Sequence, residues 1–242
     1  MKPAAAMILA AGRGERMRPL SDHTPKPLLE VAGAALIVHH LRRLAALGIA
    51  DVLINTAWLG AQFHRALGDG AAFGLRIHYS DEGDQALETA GGIAHALALL
   101  GDGPVDGGGD GDPLLVINGD LWCDCDLARL ALRGDDLATL LLVDNPEHNP
   151  RGDFLLRGGR VANPSPAAAL GGKALTFAGI GLYRRALFAA LLHPTPPQPL
   201  APLLRAAADA GRVAGLQHRG DWCDVGTPER LTALRARLKK NH

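Results

Sequence analysis

Short apolar segments alternate with segments of helical periodicity through the first part of the chain. An apolar run over Pro3–Ala11 is followed by Leu36–Leu47, where apolar residues recur at helical spacing until Gly48 provides a stop. The alternation continues with strand-like Val52–Ile54, a helical pattern around Gln62–Leu67, strand-like Leu75–Tyr79, helical Gly92–Leu100 and strand-like Leu114–Ile117. Strands that alternate with helices favour an α/β fold with a mostly parallel central sheet and flanking helices.

The pattern changes after Leu140–Val143, where the strand-like segments become short. These segments are Phe154–Leu156, Arg160–Ala162 and Leu175–Ile180. They predict a small antiparallel patch on one edge of the sheet. The helices expected to close the chain are Ala186–Leu192, Pro202–Ala210 and Pro228–Leu238. Thr227 would cap the last of them, with Glu229 in its first turn.

Charge and composition exclude several classes of protein. The 25 Lys and Arg balance the 25 Asp and Glu, so the chain has no field that would hold a nucleic acid through many phosphate contacts. With 48% hydrophobic residues it is globular, and no stretch approaches the roughly 18 apolar residues of a membrane span. Three cysteines form no disulfide framework and suit a reducing cytoplasm. Lys2 and the apolar run could begin a signal peptide, but the run is short and ends at Gly12, which favours a buried strand.

The first strand runs into a glycine-rich, basic loop. Gly12 and Gly14 suggest a dinucleotide fold, but Met17 occupies the place of the third glycine, and prolines at 19, 25 and 27 interrupt the helix that such a fold requires. The loop is no Walker A motif either. Its cations are Arg13, Arg16, Arg18 and Lys26. Such a loop suits a triphosphate, although a solvated basic loop would have the same composition.

The loop sequence from Leu9 to Pro27 resembles the sugar-1-phosphate nucleotidylyltransferases, whose first loop reads approximately L-A-A-G-x-G-x-R-[ML]-x-P-L-T-x-x-x-P-K-P. Ser21 stands where the pattern has Thr. The resemblance implies a Rossmann-like nucleotide-diphospho-sugar transferase fold in which this loop holds a nucleoside triphosphate. It also implies that Lys26 contacts phosphate.

Two further segments resemble the metal-binding parts of that family. Val116–Asp120 is similar to a strand that ends in N-G-D, and Trp222–Thr227 is similar to W-x-D-V-G-T. A lone aspartate after a strand would equally suit a turn. The resemblance implies that Asp120 and Asp224 bind Mg²⁺, and two carboxylates from distant segments suit a Mg²⁺ ion that also bridges phosphate oxygens.

The resemblance also assigns the remaining site residues. Arg18, Lys26 and Asp120 are the expected catalytic residues. Nucleotide binding is expected from Ala10, Ala11, Gly12, Arg13, Gly14, Glu88 and Gly92, since Glu88–Gly92 looks like the loop that contacts the base. Sugar binding is expected from Arg151, Gly152, Asp153, Thr176 and Gly179.

Within the family, several motifs are similar to those of the N-acetylmuramate α-1-phosphate uridylyltransferases of bacterial cell-wall recycling. These motifs are Ile54–Leu59, Glu88–Thr89, Asp144–Pro146, Arg151–Phe154 and Thr176–Ile180. The resemblance implies UTP and a sugar 1-phosphate as substrates, and a cytoplasmic monomer or weak dimer. It implies a single domain over 1–242, with a nucleotide part over about 1–143, a sugar part over about 144–226 and a last helix over 227–242. The alternatives are a mannose- or glucose-1-phosphate enzyme using GTP or dTTP, and a non-catalytic protein that binds nucleotide sugars and regulates a partner.

Some residues suit two interpretations. Cys123, Cys125 and Cys223 could bind zinc together with a histidine, but no CxxC pair occurs, and inert buried thiols are the preferred interpretation. Trp58 and Trp222 could each be a packed core residue or a surface on which a substrate stacks. The glycine-rich stretch at Gly103–Asp112 is an insertion without an expected counterpart, and a surface loop is predicted there.

Overall fold

A nine-stranded sheet forms the centre of the computed structural model, which describes residues 3, 5–83, 87–99, 113–164, 174–191 and 197–239. Its strands are β1 (Ala5–Leu9), β4 (Asp51–Thr56), β5 (Arg76–Asp81), β6 (Pro113–Asn118), β8 (Ala138–Val143), β9 (Phe154–Arg157), β10 (Arg160–Ala162), β11 (Ala174–Arg184) and β12 (Val213–Gln217). Two small ribbons pair β2 (Glu30–Val31) with β3 (Ala34–Ala35) and β7 (Leu121–Cys123) with β13 (Trp222–Asp224). The helices are α1 (Leu20–His23), α2 (Leu36–Ala46), α3 (Ala61–Leu67), α4 (Glu88–Leu99), α5 (Leu200–Asp209) and α6 (Pro228–Lys239).

The first half of the sheet is parallel, as the alternation predicts. Strands β5, β4, β1 and β6 lie side by side in that order and all pair in parallel. Strand β1 is buried on both faces, because Ala6 and Ile8 join one core cluster while Ala5 and Met7 join the other. The first cluster packs against α2 and α3, and the second packs against α4 and α5.

The predicted antiparallel strands are confirmed as β9, β10 and β11. The prediction that they form a patch on the edge of a mostly parallel sheet is wrong, because β11 lies inside the sheet between β6 and β8. Strand β11 lies antiparallel to both β6 and β8, β8 pairs in parallel with β12, and β9 pairs with both β10 and β11. Strands β11, β8, β12, β10 and β9 thereby close into a five-stranded barrel that continues the sheet. The physical reason is the 11-residue length of β11, which is long enough to pair with three partners.

Strand β12 was missed because its apolar signal is weak. Only Val213 of its five residues is buried, and Gly215 occupies its centre. A side chain at position 215 would collide with Leu156 and Val161, since an added Cβ would lie 2.6 Å and 2.8 Å from their methyl groups. Close packing inside the barrel therefore requires a residue that weakens the strand pattern.

The helix predictions are confirmed with changed bounds. Helix α4 begins at Glu88, four residues before the predicted start, and the segment after β11 is a 3-10 helix over Arg185–Leu191. The predicted cap of α6 is confirmed, because the Arg230 N–H donates to Thr227 Oγ1 at 3.4 Å. The predicted surface loop at Gly103–Asp112 lies outside the described residues. None of the helices in the described part of the chain has the length and apolar character of a membrane span.

Candidate active site

A cavity of about 350 Å³ opens beyond the carboxyl ends of β1, β4 and β6. It is lined by Leu9, Ala10, Ala11, Gly12, Lys26, Pro27, Asn55, Glu82, Glu88, Thr89, Asn118 and Asp120. Open α/β sheets place ligand sites at this edge because the loops that follow parallel strands converge there. The lining contains many of the predicted nucleotide residues together with two predicted catalytic residues, Lys26 and Asp120.

The glycine-rich loop is folded into short helical turns over Glu15–Met17 and Leu20–His23. Gly14 has a φ of +69°, and a Cβ there would lie 2.7 Å from Lys26 Cγ, so glycine lets the lysine cross the loop. Ser21 Oγ donates to the Gly14 carbonyl at 2.8 Å. Met17 is fully buried in a third core cluster that includes Val225 and the apolar face of α6. A methionine at the third glycine position therefore anchors the loop to α6.

A hydrogen-bonded chain forms one wall of the cavity. Asn55, at the end of β4, accepts from the Ala10 N–H at 2.7 Å and donates to Glu82 Oε1 at 2.7 Å. The other oxygen of Glu82 accepts from the Leu87 N–H at 3.0 Å. Gly92 makes room for this chain, because a Cβ there would lie 2.4 Å from Glu82 Oε1. The N–H of Ala10 is thus engaged within the protein, and Gly92 lies behind the wall.

Glu88 begins helix α4 at the mouth of the cavity with a φ of +61°. A residue other than glycine in this region of backbone space stores about 1 to 3 kcal/mol of strain, and such strain clusters at functional sites. Glu88 is exposed and lines the cavity. The strained backbone places the first turn of α4 next to the cavity.

Lys26 and Asp120 form an ion pair at the cavity. Lys26 Nζ lies 2.6 Å from Asp120 Oδ2, and the two side chains are 16% and 22% exposed. Gly119 allows the chain before Asp120 to approach β1, since its N–H donates to the Leu9 carbonyl at 2.9 Å and an added Cβ would lie equally close to that oxygen. The N-G-D segment therefore places Asp120 against the lysine.

Asp224 reaches the same region through the β7–β13 ribbon. Asp224 pairs with Leu121, and the Val225 N–H donates to the Asp120 carbonyl at 2.8 Å, so the main chains of the two aspartates are neighbours. The carboxylate of Asp224 forms an ion pair with Arg230 and lies 3.3 Å from His148 Nε2. Among the described residues no cluster of three or more His, Cys, Asp or Glu could hold a metal ion. A metal held by both aspartates would therefore need further oxygen ligands from a substrate or from water.

The predicted sugar residues lie between the loop after β8 and strand β11. Both oxygens of Asp153 are engaged, one by Asn149 Nδ2 at 3.1 Å and the other by the Phe177 N–H at 2.8 Å. Thr176 is buried, donates to Asn145 Oδ1 at 3.0 Å and accepts from Asn149 at 3.2 Å. The side chains of Asp153 and Thr176 therefore hold this loop on β11.

The two predicted residues on the same loop differ in exposure. Gly152 has a φ of +67°, and a Cβ there would lie 2.6 Å from Asn145 Oδ1, so the turn requires glycine. Arg151 is exposed and makes no hydrogen bond or ion pair with the described residues. Neither residue is among those that line the described cavity.

A bulge in β11 brings Gly179 to the cavity edge. The register between β11 and β8 shifts between Phe177 and Gly181, and Gly179 has a φ of +74°. A Cβ on Gly179 would lie 2.6 Å from the side chain of the cavity residue Asn118. Trp222 Nε1 donates to the Ala178 carbonyl at 3.0 Å, so this tryptophan supports the bulge as a packed anchor. The bulge connects the sugar-side residues to the cavity.

Comparison with known proteins identifies the family. The profile of the nucleotidyl transferase family matches residues 5–152, more than half of the chain. The chain belongs to the nucleotidyl transferase family. It is 49% identical over 236 residues to an N-acetylmuramate alpha-1-phosphate uridylyltransferase from Neisseria meningitidis serogroup B, and the match covers 96% of each chain. It is 36% identical over 248 residues to a protein of the same description from Caulobacter vibrioides, covering 98% and 97% of the two chains.

A solved structure shares the fold of this nucleotidyl transferase. The crystal structure of a putative glucose-1-phosphate thymidylyltransferase from Bacillus anthracis superposes with a TM-score of 0.78, over 97% of this chain and 95% of that chain. The two sequences are 21% identical, so the likeness shows the fold. The mixed α/β architecture is thus that of a known structure.

Two predicted cations of the nucleotidyl transferase lie at the rim of the loop. Arg18 pairs with Asp22 at 3.1 Å, and both side chains are largely exposed. Arg13 lies over the ring of Trp58, with its guanidinium carbon 4.7 Å from the ring centroid. Trp58 is 37% exposed and its Nε1 donates to the Ser21 carbonyl at 3.0 Å, so it braces the loop from outside. Neither arginine belongs to the described lining of the cavity.

The cysteines of the nucleotidyl transferase stay outside the cavity. Cys123 and Cys125 are buried free thiols, and Cys223 is a half-buried one. A hydrogen bond from the Cys123 thiol, together with the nearby Arg43 guanidinium, lowers the pKa of Cys125 below its usual value. Arg43 donates to the Cys123 carbonyl at 2.7 Å, which ties α2 to the end of β7. This contact supports the interpretation of the two buried thiols as packing residues.

Four residues that contact the cavity wall or a predicted metal ligand were not predicted from the sequence: Asn55, Glu82, His148 and Arg230. Asn55 ends a buried strand, and His148 lies between two of the segments that resemble relatives. These two sequence positions are the features from which a role at the site could have been predicted. Glu82 and Arg230 had no signal of their own, because their partners are far away in the sequence or lie on another element.

Proposed function

We propose that the protein transfers the uridylyl group of UTP to N-acetylmuramate α-1-phosphate, giving UDP-N-acetylmuramate and pyrophosphate. The observation that carries this proposal is the 49% identity over 96% of both chains to a relative described as that uridylyltransferase. The cavity supports it, because Lys26, Asp120 and the glycine-rich loop meet at the carboxyl edge of the sheet.

The reaction is an in-line displacement at phosphorus. An oxygen of the sugar phosphate forms a bond to the α-phosphorus of UTP, and the bond to the bridging oxygen breaks, so that pyrophosphate leaves with the electron pair. The attacking phosphate is already an anion, so the protein mainly positions the reactants and neutralises charge. Lys26 and Arg18, with the backbone of Gly12–Gly14, would bind the β- and γ-phosphates that carry the developing charge.

Asp120 and Asp224 fit a Mg²⁺ site. Both supply hard carboxylate oxygens, both are partly exposed, and the hydrogen bond from Val225 to Asp120 joins their main chains. Asp120 and Asp224 would hold a Mg²⁺ ion, which would supply positive charge to neutralise the triphosphate. In the described structure Lys26 and Arg230 neutralise these carboxylates.

The base would lie against the wall formed by Asn55 and Glu82, with Glu88 at the mouth. Ala11 and Gly12 would contribute backbone groups, and Gly92 would act by making room for Glu82. Polar groups that only uracil satisfies would reject other bases, because a wrong base would leave them buried without partners. Arg13 would swing from Trp58 toward the phosphates.

The sugar would lie on the side of β11. Gly152, Gly179 and the loop held by Asp153 and Thr176 would shape this part of the site, and Arg151 would meet the lactyl carboxylate. We further propose a single catalytic unit over 1–242 with the nucleotide and sugar parts given above, acting in the cytoplasm as a monomer or weak dimer.

A matrix of substrates tests the proposed function. Pyrophosphate release would be measured for UTP, GTP, dTTP and ATP with the 1-phosphates of N-acetylmuramate, N-acetylglucosamine, glucose and mannose. We expect the highest kcat/KM for UTP with N-acetylmuramate 1-phosphate. A preference for GTP with mannose 1-phosphate would overturn the assignment while leaving the family intact, and the absence of any turnover would favour a regulatory protein.

A further inference from the structure

Arg230 and His148 meet at the carboxylate of Asp224. Arg230 Nη1 contacts Asp224 Oδ1 and lies 3.2 Å from His148 Nε2, which is itself 3.3 Å from the same aspartate oxygen. We propose that Arg230, with His148 beside it, binds the phosphate of the incoming sugar 1-phosphate once a metal ion engages Asp224. The inference deepens the proposed function and rests on it.

Arg230 lies between the two halves of the site, namely the sugar-side loop and the β7–β13 ribbon. His148 belongs to the sugar-side loop that Asp153 holds on β11, whereas Asp224 belongs to the ribbon beside Asp120. The guanidinium passes over Gly226, where an added Cβ would lie 2.4 Å from Arg230 Nη2 and 3.4 Å from Arg16 Nη2. A phosphate bound to Arg230 would therefore lie between the glycine-rich loop and the sugar-side loop.

The charges explain why Arg230 would change partners. Arg230 contacts the same carboxylate oxygen of Asp224 that would serve as a metal ligand, so a divalent cation held by Asp120 and Asp224 would compete with the guanidinium. The Arg230 side chain is only 21% exposed, so a guanidinium that lost its carboxylate would need another anion to offset its desolvation. The planar fork of N–H donors in arginine matches phosphate oxygens. The displaced guanidinium would thus be able to bind an anionic group of a substrate.

The acceptor phosphate is the anion that fits this place. Under the proposed function the β- and γ-phosphates of UTP bind the glycine-rich loop and Lys26, and Lys26 contacts Asp120, whereas Arg230 contacts the other aspartate, Asp224. The acceptor phosphate must approach the α-phosphorus against the charge of the triphosphate, and a fixed cation beside the metal site lowers that repulsion. The lactyl carboxylate is at a different end of the sugar from the reacting phosphate.

Variants of Arg230 test the proposal with binding and kinetics. Arg230→Gln should raise the Kd of the sugar 1-phosphate, measured by calorimetry with a non-hydrolysable UTP analogue and Mg²⁺, by about 10- to 100-fold, the range expected for a charged hydrogen-bond pair. The KM for UTP should stay close to that of the wild type. Arg230→Lys should recover part of the affinity, because it keeps the charge but loses the fork. His148→Ala should cause a smaller loss.

The same variant should bind Mg²⁺ more tightly. Arg230→Gln removes the cation that competes for Asp224, so calorimetric titration of Mg²⁺ with the UTP analogue and without sugar should give a lower Kd than the wild type. The opposite signs of the metal and sugar effects would not arise from a merely structural role. An unchanged or weakened affinity for Mg²⁺ would overturn the competition step.

Matched controls separate the role of Arg230 from general damage. Arg237→Gln removes another arginine of α6, one that pairs with Asp221 at 2.7 Å, and should leave both affinities unchanged. Gly226→Ala keeps the Arg230 charge but places a methyl group against its guanidinium, so it should weaken sugar phosphate binding. It also provides the test if Arg230→Gln does not fold.

The outcomes distinguish failure of this inference from failure of the proposed function. Equal losses with N-acetylmuramate and N-acetylglucosamine 1-phosphates support a phosphate contact, whereas a loss confined to the lactyl sugar overturns it in favour of the carboxylate. A loss confined to UTP also overturns it. If the wild type transfers uridylyl groups and Arg230→Gln matches Arg237→Gln, only this inference fails. If the wild type uses no UTP, the proposed function itself fails.

Discussion

Gly92→Ala should damage the nucleotide side of the cavity while leaving the fold in place. Gly92 lies in the second turn of α4, and an alanine there fits the backbone, because its φ is not positive. The added Cβ would lie 2.4 Å from Glu82 Oε1 and 3.1 Å from Asn55 Nδ2. The substitution therefore acts on the hydrogen-bonded wall of the cavity.

The magnitude follows from these distances. To reach an ordinary contact of 3.4 Å, Glu82 Oε1 must retreat by about 1 Å, which would stretch its 2.7 Å bond to Asn55 beyond hydrogen-bond range. Losing a hydrogen bond to a charged group costs about 1.5 to 3 kcal/mol. Alanine returns about 1 kcal/mol through its higher helix propensity. We expect a net loss of stability of roughly 0.5 to 2 kcal/mol.

The effect on the nucleotide should be larger than the effect on the fold. Displacing Glu82 by about 1 Å removes the carboxylate partner of Asn55 and alters the wall against which the base is proposed to lie, so the Kd of UTP should rise about tenfold or more. Calorimetric UTP binding and urea denaturation would measure the two effects separately. Gly91→Ala is the matched control, because its Cβ would contact Gln198 N and Leu87 Cβ at 3.3 Å without touching Asn55 or Glu82.

A double-mutant cycle gives the result that would refute the reasoning. If the damage comes from the collision with Glu82, then Gly92→Ala should add little to the UTP Kd in a Glu82→Ala background. Fully additive losses would mean that the collision with Glu82 is not the cause. Equal UTP affinities for Gly92→Ala and Gly91→Ala would also contradict the prediction.

Three further predictions address the metal site, the phosphates and the buried histidine. Asp120→Asn and Asp224→Asn should each nearly abolish turnover with unchanged circular dichroism; near wild-type activity of either variant at low Mg²⁺ would refute the two-carboxylate site. Lys26→Ala should lower kcat and raise KM, because its charge stabilises the departing pyrophosphate; a change in KM alone would limit the lysine to ground-state binding. Burial lowers the pKa of His40 to about 3 from 6.5. The unfolded chain therefore binds the proton more readily, and the stability due to His40 is lost as pH falls from 6.5 toward 3, by up to about 1.4 kcal/mol per pH unit. Urea denaturation across this range should show a shallower fall for His40→Leu, and parallel curves would refute the assignment.

The sequence by itself determined the family and the parallel half of the fold, and it predicts the two aspartates of a metal site. Strand β1 and helix α2 are readable because their apolar residues repeat at local spacing. The long match from Leu9 to Pro27 and the N-G-D and W-x-D-V-G-T segments predict the loop, Asp120 and Asp224 as parts of the site, because each motif holds its residue at a fixed local position.

Only the tertiary structure decided the barrel and the partners of the site residues. The closure of β9 onto β11 depends on a pairing between strands whose separate patterns look alike, and strand β12 is hidden by the glycine that the barrel interior requires. Asn55, Glu82 and Arg230 acquire their roles from contacts across 27, 45 or 82 residues of sequence. Local periodicity reports which face of an element is apolar, whereas the partner of a polar side chain depends on which distant element the folded chain brings against it.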